Sequence, residues 1–157
     1  NIPIIPLGGG KLIDWINKNY YLDSNLKEIY IVDGDVGKYK LKLKAINEEN
    51  DNRRIGYAMT RREIENYIPI ELVENYFHIQ LSQYKETWNK IDIPKLLCGL
   101  VKKDIEDDKK REIVIKKILN SSISQDITKE MLEKDNSFEE FKNLFEKIKQ
   151  QHLDINI

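Results

Sequence analysis

The sequence is short of the residues that most often announce a chemistry. It holds one cysteine, Cys98, and two histidines, with seven glycines and four prolines in 157 residues. A single cysteine excludes an intrachain disulfide and any multi-cysteine zinc site, and makes a reducing setting the default. His78 and His152 are far apart, and neither has a companion at metal-ligand spacing. No apolar run approaches the roughly 18–20 residues that cross a bilayer, and no basic-apolar-small leader is present. The expectation is a cytoplasmic protein without a membrane partner. Excess charge is missing too: 26 Lys and Arg face 27 Asp and Glu, a formal net charge of −1. That balance removes the simple electrostatic case for a nucleic-acid or membrane binder and leaves room for a local basic patch.

What is present suits a folded domain. The chain is 40% hydrophobic, 34% charged and 9% aromatic, and its many Ile and Leu residues supply a core, which argues against general disorder. The length fits one domain, or a compact α/β piece followed by a helical appendage. The chain starts at Asn1 on an apolar Ile-Pro-Ile-Ile run, from which a piece of a longer parent is expected.

The first 60 residues read as alternating strand and helix. Ile2 to Leu7 is a short β-branched run stopped by Gly8-Gly9-Gly10. Lys11 to Tyr21 has helical spacing, with Leu12, Trp15 and Ile16 on one face. Glu28 to Val32 reads as a strand ending in Asp33-Gly34-Asp35, Lys40 to Glu48 as a helix, and Ile55 to Met59 as a third strand. Strand-helix-strand at these intervals predicts a parallel sheet with crossover helices. Asn47 to Arg54 is a polar loop.

From Thr60 onward the pattern turns helical. Thr60 to Glu63 fits a capping box, as does Ser137 to Glu140. Helices are expected over Glu71 to Gln83, Pro94 to Val101 and Asp107 to Leu119. A last helix carries Phe138, Phe141, Leu144, Phe145 and Ile148 on one face, as core or as an interface.

The most informative triplet is Asp33-Gly34-Asp35. In open parallel sheets ligands bind beyond the carboxyl ends of strands. Two carboxylates there, with a flexible glycine between them, suit a hard divalent cation such as Mg²⁺ or Mn²⁺. A polar strand-to-loop turn explains the same residues. The second feature is Arg61-Arg62-Glu63-Ile64-Glu65-Asn66-Tyr67, where phosphate-holding cations lie beside metal-holding carboxylates. A capped helix start with a solvated Glu65 explains it equally. Gly8-Gly9-Gly10, followed by Lys11, could admit a phosphate to backbone N–H groups. It lacks the Walker and dinucleotide patterns, and a tight turn is the better reading. Cys98, in an apolar stretch, reads as a buried thiol. Ser121, Ser122 and Ser124 form no nucleophile elbow, and Lys109-Lys110-Arg111 reads as a solvated face.

Taken in order, these pieces resemble the TOPRIM nuclease domain of the OLD family of ATP-dependent endonucleases and related ATPase-linked defence effectors. The resemblance runs through Ile2-Pro-Ile-Ile-Pro-Leu-Gly-Gly-Gly10, Ile29-Tyr-Ile-Val-Asp-Gly-Asp35 and Thr60-Arg-Arg-Glu-Ile-Glu-Asn-Tyr-Ile68. It extends to Ile127-Thr-Lys-Glu-Met-Leu132 and Phe145-Glu-Lys-Ile148. It implies an α/β fold with a small parallel, Rossmann-like TOPRIM sheet, partial over residues 1–75, and a helical C-terminal region over 76–157. It also implies metal-dependent phosphodiester hydrolysis. The Asp-x-Asp pair of the family maps onto Asp33 and Asp35, and its later acidic position onto Glu63 or Glu65. A basic residue near the last helices maps onto Lys109 or Lys110. The family also uses a Glu from a strand upstream of the Gly-Gly-Gly turn, which either the parent supplies or a degenerate site lacks, and the family's ATPase would belong to the parent.

The expectation is therefore a nuclease of DNA or RNA in which Asp33, Asp35 and Glu65, helped by Glu63, hold Mg²⁺ or Mn²⁺. Two such ions about 3.5–4 Å apart would activate water and stabilise the leaving oxygen. Arg61, Arg62 and Lys11 would hold the nucleic acid through its phosphates. The partners expected are the nucleic-acid substrate, the ATPase domain of the same parent and a second copy in a homo-oligomer. The rivals are a TOPRIM-like docking module without catalysis and a phosphotransfer enzyme of primase type.

Overall fold

The computed structural model describes residues 4–7, 11–18, 26–49 and 53–153, the last three of these without their side chains. The chain is mixed α/β: among the described residues it forms seven α-helices and one two-stranded parallel sheet. Its contacts divide it into two compact units. One comprises residues 1–32, 36–58 and 148–157, and the other residues 33–35 and 59–147. This boundary falls between Ala58 and Met59 rather than at residue 75, and it assigns the Asp33-Gly34-Asp35 turn to the second unit.

The first unit is built around the strand-helix-strand unit that the sequence predicts. Strands β1 (Glu28–Val32) and β2 (Arg54–Ala58) pair in parallel, from Glu28 opposite Arg54 to Val32 opposite Ala58. Helix α2 (Gly37–Glu48) connects them. Along β1, Tyr30 and Val32 are buried while Ile31 is exposed, the alternation of a strand with one covered face. Leu43 and Ile46 of α2, with Leu12 and Ile16 of α1 (Lys11–Lys18), complete the core on that face.

Helix α2 lies close to β2 because Gly56 has no side chain. A Cβ there would sit 2.6 Å from Leu43 Cβ, inside any tolerable contact. Beside it, Asn47 donates to Gly56 O at 3.1 Å and accepts from Gly56 N–H at 2.8 Å. Arg54 donates to Ile16 O at 3.2 Å and lies 3.3 Å from Glu49. Tyr30 donates to Glu28 at 2.8 Å, and burial together with that carboxylate pushes its pKa up to about 12.

One expectation for this unit meets a different outcome. Residues 4–7 form no strand, and Ile4 is 90% exposed. Ile2, Pro3, the Gly8-Gly9-Gly10 turn and the end of the first helix beyond Lys18 lie outside the described residues.

The second unit is helical. Helices α3 (Ile70–Phe77), α4 (Ile93–Cys98) and α5 (Asp108–Ser121) bury Val73, Ile93, Leu97, Ile115 and Leu119 in one core, joined by Leu81 from the segment after α3. Trp88 packs there and donates its indole N–H to Ile68 O at 2.8 Å. Helix α4 starts at Asp92, whose carboxylate accepts the Lys95 N–H, and α5 at Asp107, which caps through the Lys110 N–H. Helix α3 stops at His78, in the left-handed region at φ 54°, several residues before the expected end at Gln83. Helices α6 (Lys129–Lys134) and α7 (Ser137–Leu153) complete the order. Among the described residues, no helix is long and apolar enough to cross a membrane.

Neither expected capping box forms. Thr60 starts no helix; its N–H and hydroxyl both go to the Glu140 carboxylate, at 2.7 and 2.6 Å. At α7 the acceptor for the Ser137 N–H is Asp135, at 3.0 Å, while Glu140 turns away to accept from Tyr67 at 2.5 Å. An exposed capping bond is worth about 1 kcal/mol. A carboxylate with three donors, one of them the hydroxyl of buried Tyr67, outweighs it.

Candidate functional site

The two motifs singled out by sequence meet inside the second unit. The Gly34 N–H donates to Arg61 O at 3.0 Å, the Asp35 N–H to Arg62 O at 3.2 Å, and Asp33 Oδ1 accepts from the Ile64 N–H at 3.1 Å. Residues 33–35 thus lie against residues 61–64 as closely as neighbouring strands do. The glycine between the aspartates is required by this approach, and flexibility is not its role. A Cβ on Gly34 would fall 2.1 Å from Arg61 O and 2.7 Å from Met59 O.

Residues 64–67 form a 3₁₀ helix, not the start of an α-helix. Asn66 holds it. Fully buried, it donates from Nδ2 to Trp88 O at 2.5 Å and Ile91 O at 2.9 Å, and accepts from the Glu63 N–H at 2.8 Å. These bonds fix Glu63 and Glu65 on either side of Ile64. Glu65, expected in solvent on one reading, is only 5% exposed and accepts from Asn120 of α5 at 2.8 Å. Glu63 lies 3.9 Å from Lys116, also on α5, and its Oε2 is buried with no hydrogen-bond donor.

The charges act on one another. Partial burial of its carboxyl raises the pKa of Asp33, and the charges of Glu65 and Asp35 add to the rise against the Ile64 N–H and Lys116. Burial likewise raises Glu63; Lys116 opposes, while Asp92 and Glu65 reinforce. For Lys116, burial works to lower the pKa but is outweighed by Glu63, Glu65, Glu112 and Asp92, so its ammonium is held protonated. Arg62 stands 3.5 Å from Asp35 and 3.6 Å from Asp92.

Among the described residues, no three His, Cys, Asp or Glu side chains form a ready metal-holding group. The donor chemistry still fits a hard cation. Asp33, Asp35, Glu63 and Glu65 offer only carboxylate oxygens, one of those oxygens is orphaned and buried, and Asp33 and Glu63 are pushed toward protonation as things stand.

The expected basic residues divide. Arg62 keeps about a third of its side chain exposed. Arg61 is turned inward: it donates to Asn66 O at 2.8 Å, pairs with Asp135 at 3.0 Å and stacks 4.7 Å from the Tyr67 ring. A guanidinium 6% exposed is not available to a phosphate, so Arg61 positions the segment. Lys109 and Lys110 are exposed in the first turn of α5, whereas the cation facing the carboxylates is Lys116. Lys11 opens α1 in the first unit.

Three site residues escape sequence reading: Asp92, Lys116 and Asn120. A signal existed for two of them, since Glu112, Lys116 and Asn120 recur at four-residue spacing along one face of α5. Glu112 and Lys116 pair at 3.7 Å. Asp92 carried no such signal; the structure shows it as the cap of α4.

Other residues take the plainer role. Burial pushes the Cys98 thiol up and away from nucleophilic use. In the α7 stripe, Leu144 is buried and Phe141 packs edge-on to Tyr67 at 5.0 Å, while Phe145 is 63% exposed. In comparisons with protein-family models, curated proteins and solved structures, nothing matches this chain.

Proposed function

We propose that the chain carries the nuclease centre of a metal-dependent phosphodiesterase of TOPRIM type, similar to that of the OLD-family endonucleases. The observation supporting this reading is the stitching of Asp33-Gly34-Asp35 to Arg61–Ile64, which sets Asp33 within electrostatic reach of Asp35 and Glu65, with Glu63 in turn within reach of Glu65. Repelling carboxylates are costly to gather unless a cation is to be held.

Asp33, Asp35 and Glu65, with the orphaned oxygen of Glu63, are the residues that would hold Mg²⁺ or Mn²⁺. When bound, such an ion supplies Lewis-acid polarisation of the phosphate and a water acidic enough to attack it. Asn120 fixes the Glu65 carboxylate, and Asn66 fixes the backbone between Glu63 and Glu65. The Lys116 ammonium, kept protonated by its neighbours, balances negative charge developing on a phosphate oxygen. Arg62 exchanges its long contacts to Asp35 and Asp92 for a backbone phosphate. The substrate is DNA or RNA, contacted through phosphates and so with little sequence preference. The further partners of this reading are an ATPase domain in the same parent chain and a second copy, in the cytoplasm.

A second reading, a docking module without catalysis, draws support from the internal pairing of Arg62 and Lys116 and from the absence of a ready three-acid group among the described residues. The experiment that separates the two is cleavage of plasmid and tRNA with Mg²⁺ or Mn²⁺, using the longest obtainable parent and its Asp33→Asn variant. Cleavage lost in the variant supports the nuclease. A parent inactive with and without ATP, and without Asp33-dependent Mn²⁺ binding, leaves the docking module.

A further inference from the structure

Glu63 and Glu65 sit on the segment 60–67, whose regular structure is limited to the 3₁₀ turn Ile64–Tyr67. Both ends of this segment close on one residue. Glu140, half-buried on α7, accepts from the Thr60 N–H at 2.7 Å, the Thr60 hydroxyl at 2.6 Å and the Tyr67 hydroxyl at 2.5 Å. The two hydroxyls share one carboxylate oxygen, Oε2. The Tyr67 oxygen in turn accepts from the Arg61 N–H at 3.3 Å.

Neighbouring contacts reinforce the clasp. The Tyr67 ring packs edge-on to Phe141 of α7, and Arg61 pairs with Asp135 just before that helix. Glu63 and Glu65 lie between the two anchored ends and make their own contacts with Lys116 and Asn120 of α5. Glu140 comes 73 residues after Tyr67, so the segment is closed only when the first part of α7 is docked. A hydroxyl and a carboxylate removed from water hold each other firmly, since the bond is charge-assisted.

We propose that Glu140 is a positioning residue for the acidic site, through which α7 sets the affinity of that site for a divalent cation. The cation rests on the metal-dependent reading above; the clasp itself does not. With the clasp open, the ends of the segment separate and Glu63 and Glu65 no longer hold one place relative to Asp33. Coupling of this kind is reciprocal, so a cation that fixes Glu63 and Glu65 also strengthens the docking of α7.

The test uses the longest obtainable parent and two clasp variants. Glu140→Gln turns an amide N–H toward one of the donors and opens one end. Tyr67→Phe removes only the hydroxyl, with the ring and the net charge kept, and serves alone if Glu140→Gln does not fold. Glu139→Gln, whose carboxylate is exposed and pairs with Lys142, is the control for lost charge. Val73→Ala, in the core of α3, is the control for lost stability. The readouts are the Mn²⁺ Kd by calorimetry and amide hydrogen exchange over residues 60–67 and 137–147, with and without Mn²⁺.

Both clasp variants are expected to bind Mn²⁺ roughly tenfold more weakly, as when a group that orients a metal ligand is lost, and to exchange faster over 60–67 without metal. Both controls should keep the wild-type Kd. Mn²⁺ should slow exchange over 137–147 in wild type and not in Glu140→Gln. An unchanged Kd in the clasp variants, or the same weakening in either control, would overturn the proposal, while Asp33-dependent Mn²⁺ binding by wild type leaves the metal reading standing. A wild type that binds no Mn²⁺ overturns the metal reading and the cation coupling with it. Faster exchange over 60–67 in the clasp variants then still supports the positioning role, and unchanged exchange overturns that as well.

Discussion

The Ile64 N–H donates to Asp33 Oδ1 at 3.1 Å, so the first aspartate of the Asp-Gly-Asp turn caps the 3₁₀ helix that carries Glu65. One carboxylate oxygen orders the segment, and the charge it brings is opposed by Glu65 itself. Structure and electrostatics pull in different directions at this residue, which makes it the most discriminating position to change.

Asp33→Asn keeps the acceptor oxygen and removes the charge. The folded pKa of Asp33 lies above its unfolded value, so the folded state binds more protons between the two values and stability falls as pH rises through that window. Glu63 has the same sign. Thermal melting of Asp33→Asn should therefore show a protein more stable than wild type at neutral pH, without the loss of stability that wild type suffers as pH rises upward from the ordinary Asp value of about 3.9. Asp33→Ala should instead lose about 0.5–2 kcal/mol with the cap. A destabilised Asn variant at neutral pH would contradict the charge argument.

Divalent cation should reverse the same strain. With Mn²⁺ at 100 times its Kd, wild type gains about 2.7 kcal/mol of stability, measured as a rise in melting temperature. The Asp33→Asn variant should show no such rise. An identical Mn²⁺ response from both proteins would remove Asp33 from the ligand set.

Gly34→Ala places a methyl group 2.1 Å from Arg61 O and 2.7 Å from Met59 O. The backbones of residues 33–35 and 59–62 must separate, at a cost of about 1–3 kcal/mol, and the three stitching hydrogen bonds weaken together. Urea denaturation should show the loss, and cleavage should fall even under conditions where the variant is fully folded. A stable, fully active Ala variant would count against the close approach.

Asn66→Ala leaves the carbonyls of Trp88 and Ile91 and the N–H of Glu63 without this partner. Each buried group so stranded costs about 1–3 kcal/mol. Chemical denaturation should place this among the most damaging substitutions, beyond Thr60→Ala, whose bonds to Glu140 are exposed.

Lys116→Gln removes the cation facing Glu63 and Glu65, whereas Lys109→Gln and Lys110→Gln change exposed positions one helical turn or more away. Cleavage should fall by tenfold or more in the first, a loss of about 1.4 kcal/mol in transition-state stabilisation, with folding intact. The other two should change rate little. A greater effect at Lys109 or Lys110 would restore the assignment made from the sequence.

Several features are determined locally and were legible in order along the chain. The β-branched run at Glu28–Val32, the helix face of Leu12 with Ile16, and the helices that begin near Pro94 and Asp107 follow from periodicity and short-range preferences. The parallel pairing of β1 and β2 follows from the helix between them. Both acidic motifs were visible too, because Asp and Glu clustered after an apolar strand or beside paired arginines stand out in any reading.

Which side chains face one another was decided by tertiary structure. Arg61 and Arg62 are equivalent in sequence, yet one is buried against Tyr67 and Asp135 and the other reaches Asp35 and Asp92. Thr60 and Glu140 each have the spacing of a capping box, and each abandons it for the other, across 80 residues. Lys116, and Asn120 one turn on, replace Lys109 and Lys110 because they lie far enough along α5 to reach the carboxylates, whereas Lys109, on the same face, is about 10 Å short of them. A residue's type states what bonds it can make. Burial decides which of them it must make, since a polar group removed from water takes the strongest partner the packed chain brings within reach, however distant in sequence.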